Sequence, residues 1–399
     1  MADPRQLAGP ALADALRDSR VRTLAWAADL SDAQWRVPQL SGINPIAWEL
    51  AHIAWFAEFW VLRGPHALDP NGCVRALRPA VHAGPDALFD SSQLAHADRW
   101  AAALPDRAQV LAMLATQLEA CIAALPATND DAALYFHRLP LFHEDMHGEA
   151  FAWLRAVLGY PPPPGVTLDR LPPPATLGVR GGVVRLGCVP AQRGFAFDNE
   201  QPGFECTLKG FEIDAQPVTA GEYMRFVESG GYDQPAYWAG EAGAWRAQSA
   251  VAHPARWRRA QQGSGDGTRW QTRWFDQWAA LDPSQPAIHV NAFEADAYCR
   301  WAGRHLPSAA QWEHAAGSTP GFTWGRSVWE WTSDAFAPYP GFEPGPYGDY
   351  SAPWFGNHRE LRGGAFATHE RLLDARYRNF FLPQRNDIFA GFRTVAGRA

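Results

Sequence analysis

Two histidines spaced four residues apart are the clearest candidates for chemistry in this sequence. His143 and His147 stand in the run HEDMHGE, inside a segment with helical periodicity. On a helix, residues i and i+4 project from one face about one turn apart, so two imidazoles can reach one metal ion. The same letters match the zinc-protease pattern, in which Glu144 would be the base and a third ligand would follow downstream. The spacing therefore predicts a metal site without choosing the metal, and a polar helix face is the alternative.

A third histidine, His52, stands among Trp and Phe in another predicted helix. A lone histidine in such surroundings is more often a core residue than a ligand. A helical bundle can, however, bring ligands from facing helices together, and three histidines leave coordination positions open, as catalytic sites do. We predict that the three histidines bind one metal ion. Glu49 and Glu149 are the candidates to hold their second ring nitrogens.

The first 160 residues, which must position these histidines, are predicted to be helical. The periodicity indicates four long helices, typical of an up-and-down bundle. Asn44 is predicted to cap the second helix, with Pro45 in its first turn. Pro140 is predicted to kink the fourth helix and Gly159 to end it. The predicted helices cover residues 11–30, 44–63, 107–125 and 130–158.

A proline-rich segment, residues 161–176, is predicted to link this bundle to a second domain, residues 177–399. Consecutive prolines exclude a helix and favour an extended connector. Beyond the linker, short apolar runs and frequent glycines indicate an α+β domain with much irregular loop. We expect strands at 183–186, 211–213, 361–362 and 389–394, and two helices at 220–229 and 292–303.

Composition excludes several function classes. The chain has 399 residues, 47% of them hydrophobic and 19% charged, which excludes a disordered chain. Its net charge of −7 gives no general attraction to nucleic acid, and no apolar run of 18 residues predicts a membrane span. The N-terminus does not read as a signal peptide. Five cysteines without a CxxC pair make a disulfide framework or zinc knuckle unexpected, so a reducing cytoplasm is predicted.

Motifs in both halves resemble one family, the sulfoxide synthases of ergothioneine biosynthesis. His52 and the HxxxHxE run resemble the DinB-like domain of that family, in which three histidines bind a non-haem Fe(II). The second half resembles its formylglycine-generating-enzyme-like domain, a variant of the C-type lectin fold. The matching segments there are FDNE at 197–200, AQPVTAGEY at 215–223, FVESGGY at 226–232, RHLPSAAQWE at 304–313, VWEWT at 328–332, LRGG at 361–364 and FAGFR at 389–393.

The resemblance implies roles for two segments of the second half. The family carries a tyrosine pair in a PYxxYS segment, matched by Tyr347 and Tyr350, and the first tyrosine is its proton donor during oxygen chemistry. A phenol is a donor at neutral pH and suits that task. The family also holds the betaine end of hercynine with an Asn and the following aromatic residue, matched by Asn379 and Phe380. An aromatic face attracts a trimethylammonium group.

The residues expected to bind the chalcogen donor depart from the family pattern. An acidic residue that would contact the amino group of γ-glutamylcysteine is replaced by Phe381. A pair of arginines that clamp donor carboxylates is matched only by His96 and Arg99, and Met146 replaces a common glutamine. Arg75 and Arg78 show the same spacing and remain an alternative to His96 and Arg99.

Under this resemblance, the retained histidines, Asn379 and Phe380 predict Fe(II) and hercynine. The changed donor-binding residues predict a donor without charge. The group with that description is the selenoneine synthases, which join hercynine to a selenosugar through C–Se bond formation with O2. A sugar has no ammonium or carboxylate to pair and suits aromatic and neutral polar groups. Three alternatives stay open: a sulfoxide synthase that uses γ-glutamylcysteine or cysteine, a formylglycine-generating oxidase, and a non-catalytic lectin-like module. The oxidase would need a late cysteine pair, and no cysteine follows Cys299.

Overall fold

The computed structural model describes residues 3–70, 72–189, 194–260 and 269–397. Its α-helices are α1 Gly9–Ala25, α2 Asp32–Trp35, α3 Ile46–Leu62, α4 Asp86–Phe89, α5 Arg107–Ala123, α6 Asp131–Leu158, α7 Ala220–Glu228, α8 Glu241–Ser249, α9 Ala292–Ala302 and α10 Ala309–Ser318. Its strands are β1 His66–Leu68, β2 Val74–Ala76, β3 Thr176–Val179, β4 Gly182–Leu186, β5 Phe204–Leu208, β6 Phe211–Asp214, β7 Trp257–Arg259, β8 Trp270–Trp274, β9 Gln277–Ala280, β10 Trp329–Ala335, β11 Arg359–Gly363, β12 Asn379–Phe381, β13 Ala390–Gly391 and β14 Val395–Ala396.

Four long helices, α1, α3, α5 and α6, form the first half of the molecule. Helix α3 packs against α5 and α6, and α1 packs against α6. The helix termini follow their sequence signals: Asp106 and Asp130 cap α5 and α6, and Gly159 ends α6 in the left-handed conformation at φ 69°. Helix α3 is buried over almost its whole length, from Ile46 to Trp60, which places it at the centre of the bundle.

The second half is built from small sheets with helices between them. One sheet has the order β12-β11-β10-β13, and β13 pairs parallel to β10 while the other pairs are antiparallel. A second sheet has the order β14-β6-β3, a third β7-β8-β9, and β4 pairs with β5. The largest cluster of buried hydrophobic residues continues from α3 and α6 into β10 and β13, so both halves share one core.

Several predicted elements in the first half differ from the structure. The first helix ends at Ala25, because residues 26–29 turn. Asn44 does not cap α3: Pro45 occupies the cap position, and the Asn44 side chain donates to Glu49 and accepts from Arg99 instead. The first 160 residues are also not purely helical, since β1 and β2 form a hairpin between α3 and α4.

The second half contains more helices and more strands than predicted. Helices α8 and α10 were missed, although Ser308 and Gln311 form a capping box at the start of α10. The predicted strand at 389–394 is wrong, because the chain changes sheets there: residues 390–391 pair with β10 and residues 395–396 pair with β6. No described helix is both long and apolar enough to cross a membrane, and all five cysteines are free thiols.

Candidate metal centre

The side chains of His52, His143 and His147 converge where α3 meets α6. Each offers one ring nitrogen, and these three atoms lie within 4.8 Å of one another. The Nε2 atoms of His143 and His147 are 3.2 Å apart, close to the separation that two ligands of one metal ion require. Within the described residues, no other group of three or more His, Cys, Asp or Glu side chains meets in this way.

The donor set fits a cation. The Nδ1 of His52 lies 2.7 Å from the Phe89 carbonyl oxygen, and the Nδ1 of His147 lies 2.9 Å from Glu49 Oε1. Both partners only accept, so each Nδ1 carries the hydrogen and each Nε2 presents a lone pair. Lone pairs that face one another across a buried space repel unless a cation lies between them.

Burial keeps the imidazoles of His52 and His143 neutral, the form that binds metal. His52 and His143 are both 4% exposed. Burial, together with the nearby His147, lowers the pKa of His52 to about 3. The same causes hold the pKa of His143 well below its ordinary value. The Trp48 ring stacks on His52 at 4.9 Å and the Phe56 ring on His143 at 3.6 Å, so aromatic faces exclude water from this side.

Of the two glutamates proposed to hold the histidines, the structure brings only Glu49 to a ring. Glu149 accepts instead from the Trp329 indole and the Thr368 hydroxyl, each at 2.6 Å. Burial raises the pKa of Glu149 to about 7, although these two hydrogen bonds lower it. Glu149 thus ties α6 to the second half. The Phe89 carbonyl was missed, since a backbone partner leaves no signal in residue types.

Glu144 is not available as the base of a zinc protease. Its carboxylate accepts from Arg20 at 2.7 and 3.2 Å, and both side chains are buried. Arg20 thus occupies both carboxylate oxygens of Glu144. The literal match to the zinc-protease pattern therefore has no structural support.

The segment that carries the predicted tyrosines, residues 344–351, is called the tyrosine loop below. It lies against the bundle beside the histidines. The Tyr347 ring meets Phe56, the residue stacked on His143, edge to face at 5.0 Å. The Tyr350 hydroxyl lies 3.6 Å from the Met146 sulfur. Burial raises the pKa of both phenols above the ordinary value, so both are protonated at neutral pH.

Tyr377 completes this group and was not predicted. Its hydroxyl lies 3.1 Å from the Met146 sulfur and 3.3 Å from the Tyr350 hydroxyl. Met146 precedes a metal-site histidine, so two phenols and a thioether lie beside the three imidazoles. In the sequence, the signal that could have pointed to Tyr377 was its position two residues before Asn379.

The residues of β12 that were predicted to bind substrate lie on both faces of the strand. Phe380 stacks on Phe336 at 4.1 Å and approaches the Tyr350 ring at 5.9 Å. Phe381, on the other face, contacts Trp153 at 5.9 Å and lies under the Arg385 guanidinium at 5.0 Å. Asn379 Oδ1 accepts from the Phe380 backbone N at 2.9 Å.

The structure brings Arg99 near the histidines, whereas His96 is engaged elsewhere. The Arg99 guanidinium lies 3.8 Å above Trp48, which in turn stacks on His52. Arg99 donates to Asn44 at 2.7 Å, and its Nε is buried without a partner. Burial lowers the pKa of Arg99 to about 10, and the charge of Glu49 acts in the opposite direction. His96 Nε2 meets the Ile43 carbonyl at 2.7 Å.

Of the two alternative arginines, Arg75 already pairs with carboxylates, and Arg78 is exposed. Arg75 pairs with Asp69 at 2.9 Å and approaches Asp90 at 3.8 Å. Arg78 uses its backbone carbonyl to accept from Arg63 at 3.0 Å. Arg99 is therefore the better candidate for an anion-binding side chain near the histidines.

Family models match both halves of the chain. Residues 15–157 match the DinB superfamily, and residues 166–328 and 325–398 match the sulfatase-modifying factor enzyme 1-like domain. The predicted fold class, a DinB-like helical bundle followed by a formylglycine-generating-enzyme-like α+β domain, is confirmed.

Two curated relatives match almost the whole of this chain, and a third matches about half of it. The hercynine oxygenase of Mycolicibacterium thermoresistibile is 32% identical over 96% of this chain and 94% of its own length. The protein of the same name from Mycolicibacterium smegmatis is 30% identical over 97% of this chain and 99% of its own length. The formylglycine-generating enzyme of Streptomyces coelicolor is 27% identical over 46% of this chain and 76% of its own length. Similarity to the first two thus includes the histidine-bearing helices.

Proposed function

The chain belongs to the hercynine oxygenase family, and on that premise we propose that it joins a sulfur or selenium donor to hercynine with Fe(II) and O2. The observation that carries the proposal is the convergence of three imidazoles beside partly buried phenols. In the reaction, the hydrogen on the imidazole C2 of hercynine is replaced by a bond to the chalcogen. One oxygen atom of O2 enters the sulfoxide or selenoxide, and the other leaves as water.

His52, His143 and His147 would hold the metal. When bound, Fe(II) would supply a redox-active Lewis acid with positions open to both substrates and O2. Glu49 and the Phe89 carbonyl fix the orientation of two of the rings through Nδ1. Holding both substrates at one site makes bond formation effectively intramolecular.

Tyr347 is the proposed proton donor. Its phenol is buried and protonated, and within the described residues no hydrogen bond to its hydroxyl is recorded. The Tyr350 and Tyr377 hydroxyls, by contrast, are engaged with each other and with Met146. The proton on Tyr347 Oη is therefore the one free to move toward substrate, while Tyr350 shapes the wall.

Asn379 and Phe380 are proposed to hold the betaine end of hercynine. They lie on β12, the edge strand of the sheet that faces the tyrosine loop. An aromatic face attracts the trimethylammonium group, and the Asn379 amide can donate to the carboxylate.

A thiol donor with a carboxylate, such as γ-glutamylcysteine or cysteine, has the stronger support. The relatives are named hercynine oxygenases, and Arg99 offers a buried guanidinium with no carboxylate within 4 Å in the described part of the chain. A buried charge of this kind is costly unless a partner arrives. A substrate carboxylate would supply one.

A selenosugar donor, which would lead to selenoneine through a selenoxide, is the second candidate. It is favoured by Phe381, which offers an apolar face where an ammonium would need an acid. Arg385, above the same ring, is paired with Asp387 at 2.5 Å, so its charge is largely offset there. A hydroxyl-rich donor avoids the cost of an ammonium group beside Phe381.

A substrate matrix tests the proposal. Iron-loaded protein is incubated with hercynine, O2 and either γ-glutamylcysteine, cysteine or 1-seleno-glucose, and products are read by mass spectrometry. Histidine in place of hercynine is the control, because it lacks the trimethylammonium group. We expect a coupled product with hercynine only. Absence of any coupled product with every donor would overturn the proposed reaction, and the preferred donor separates the two candidates.

A further inference from the structure

One carboxylate holds both ends of the tyrosine loop. Asp198 accepts from the Gly345 backbone N at 3.3 Å and from the Ser351 hydroxyl at 2.5 Å. These donors stand on either side of the two tyrosines in the chain. Asp198 is 6% exposed and Ser351 is fully buried, so the Ser351 hydrogen bond is shielded from bulk water, whereas the Gly345 hydrogen bond is partly buried.

The residues around Asp198 shape the loop further. Phe197 stacks on the Tyr350 ring at 4.3 Å with an angle of 19° between the planes. A Cβ on Gly345 would lie 3.1 Å from the Asp198 Cβ, so a side chain there would require Asp198 to shift by a few tenths of an ångström. Inside the loop, the recorded backbone hydrogen bond runs from Tyr350 N to Tyr347 O at 3.1 Å. Most of the order in this segment therefore comes from outside it.

The segment that contains Asp198 is itself fixed to the metal-bearing helix. Phe195 stacks on Phe142 of α6 at 4.8 Å, and Phe142 directly precedes His143 in the chain. Glu200 receives two hydrogen bonds from the buried Arg5, at 2.6 and 2.7 Å. Residues 195–200 thus connect the tyrosine loop to α6 through short, buried contacts.

We propose that Asp198 is a positioning residue that holds Tyr347 over the metal centre. This inference rests on the proposed function for its catalytic consequence, but the ordering of the loop can be measured without turnover. A displacement of about 1 Å of a reacting group can cost about 100-fold in rate, which is why an anchor at both ends of the loop matters.

The test compares Asp198→Asn and Ser351→Ala with the control Asp282→Asn. Asn retains the shape of Asp198 but cannot accept from both donors, and Ser351→Ala removes one bond without a change of charge. Asp282 also accepts from a backbone N, that of Ser284 at 2.9 Å, and lies outside the tyrosine loop and its anchor. The readouts are amide hydrogen exchange of residues 344–351, Co(II) and hercynine dissociation constants, and kcat per bound iron.

We expect exchange in the loop to rise about tenfold in both variants, since each loses a buried charge-assisted hydrogen bond. We expect kcat to fall at least tenfold while both dissociation constants stay within twofold, and the control to match the unaltered protein. Unchanged exchange, or faster exchange with unchanged kcat, would overturn the inference. An unaltered protein that makes no coupled product would refute the proposed function instead, and the exchange data would still decide whether Asp198 orders the loop.

Discussion

At the scale of single residues, the histidines of the proposed metal centre differ from another histidine on the same helix. His147 has one nitrogen held by Glu49 and the other directed at His143. His137, ten residues earlier on α6, lines an apolar cavity of about 1100 Å³ instead. Burial lowers the pKa of His137, so it too is neutral, and neutrality alone does not make a ligand.

We therefore expect His147→Ala to lose metal and turnover, and His137→Ala to retain both. Removal of a hydrogen-bond partner of a metal ligand typically costs about 10–100-fold in metal affinity. Removal of the ligand itself should therefore lower the metal affinity by more than about 100-fold. Metal content after purification and anaerobic Fe(II) titration measure the difference. Equal Fe(II) affinity in both variants would remove His147 from the site.

Donor choice is also a matter of single residues. An acid at position 381 would provide the partner that an ammonium group lacks beside Phe381. The ammonium group would compete with Arg385 for that acid. We expect Phe381→Asp to raise kcat/KM for γ-glutamylcysteine relative to 1-seleno-glucose by about tenfold. Leu382→Asp is the matched control, because it adds the same charge one residue away at a partly exposed position. A similar shift in both variants would mean that general charge, and not this position, selects the donor.

At the scale of elements, the turn before β12 holds the N-terminal segment in place. Asp374 pairs with Arg5 at 3.1 Å and accepts from the Arg376 Nε at 2.8 Å. Burial alone raises the pKa of Asp374, but these cations outweigh it and lower the pKa to about 2. Because the unfolded value is 3.8, folding is stabilised when this carboxylate is ionised.

This stabilisation is complete above about pH 4 and is lost as the pH falls toward about 2. We expect Asp374→Asn to lower the free energy of unfolding by about 2 kcal/mol at pH 7 and by about half of that near pH 3. Urea unfolding at several pH values measures this. Asp233→Asn is the control, since Asp233 is 81% exposed and 3.7 Å from Arg246, and should change the free energy by less than about 0.5 kcal/mol. A pH-independent effect of Asp374→Asn would contradict the argument.

At the scale of the whole molecule, Arg371 joins the two halves next to the metal centre. Its guanidinium donates to Asp145 at 2.8 and 2.9 Å and to Asp18 at 2.7 Å. Asp145 stands between His143 and His147 on α6, accepts from the Ser19 hydroxyl of α1 and lies 3.8 Å from the His369 Nδ1. One arginine of the second half thus binds two helices of the bundle.

We expect Arg371→Ala to lower the free energy of unfolding by about 3 kcal/mol, because it leaves the buried Asp145 without its cation. Arg326→Ala is the matched control: Arg326 is 81% exposed, and its 4.0 Å contact with Glu370 should contribute less than about 0.5 kcal/mol. Denaturant unfolding followed by fluorescence and circular dichroism measures both. An effect of Arg371→Ala no larger than that of the control would show that this contact does not couple the halves.

Local sequence signals determined much of what the structure contains. The HxxxH spacing places His143 and His147 on one face of any helix, whatever surrounds it. Gly159 ends α6 because glycine adopts a positive φ at low cost, and the prolines after it prevent continuation. The order of a helical half and an α+β half follows from periodicity and composition in the same way.

Tertiary structure decided which side chains meet. His52 lies 91 residues before His143, and only the packing of α3 on α6 brings them together. The Phe89 carbonyl as the partner of His52 and the turn of Glu149 toward Trp329 depend on contacts between distant segments. Such contacts depend on the free energy of the whole packed core. A spacing rule describes one helix or strand at a time and therefore does not predict them.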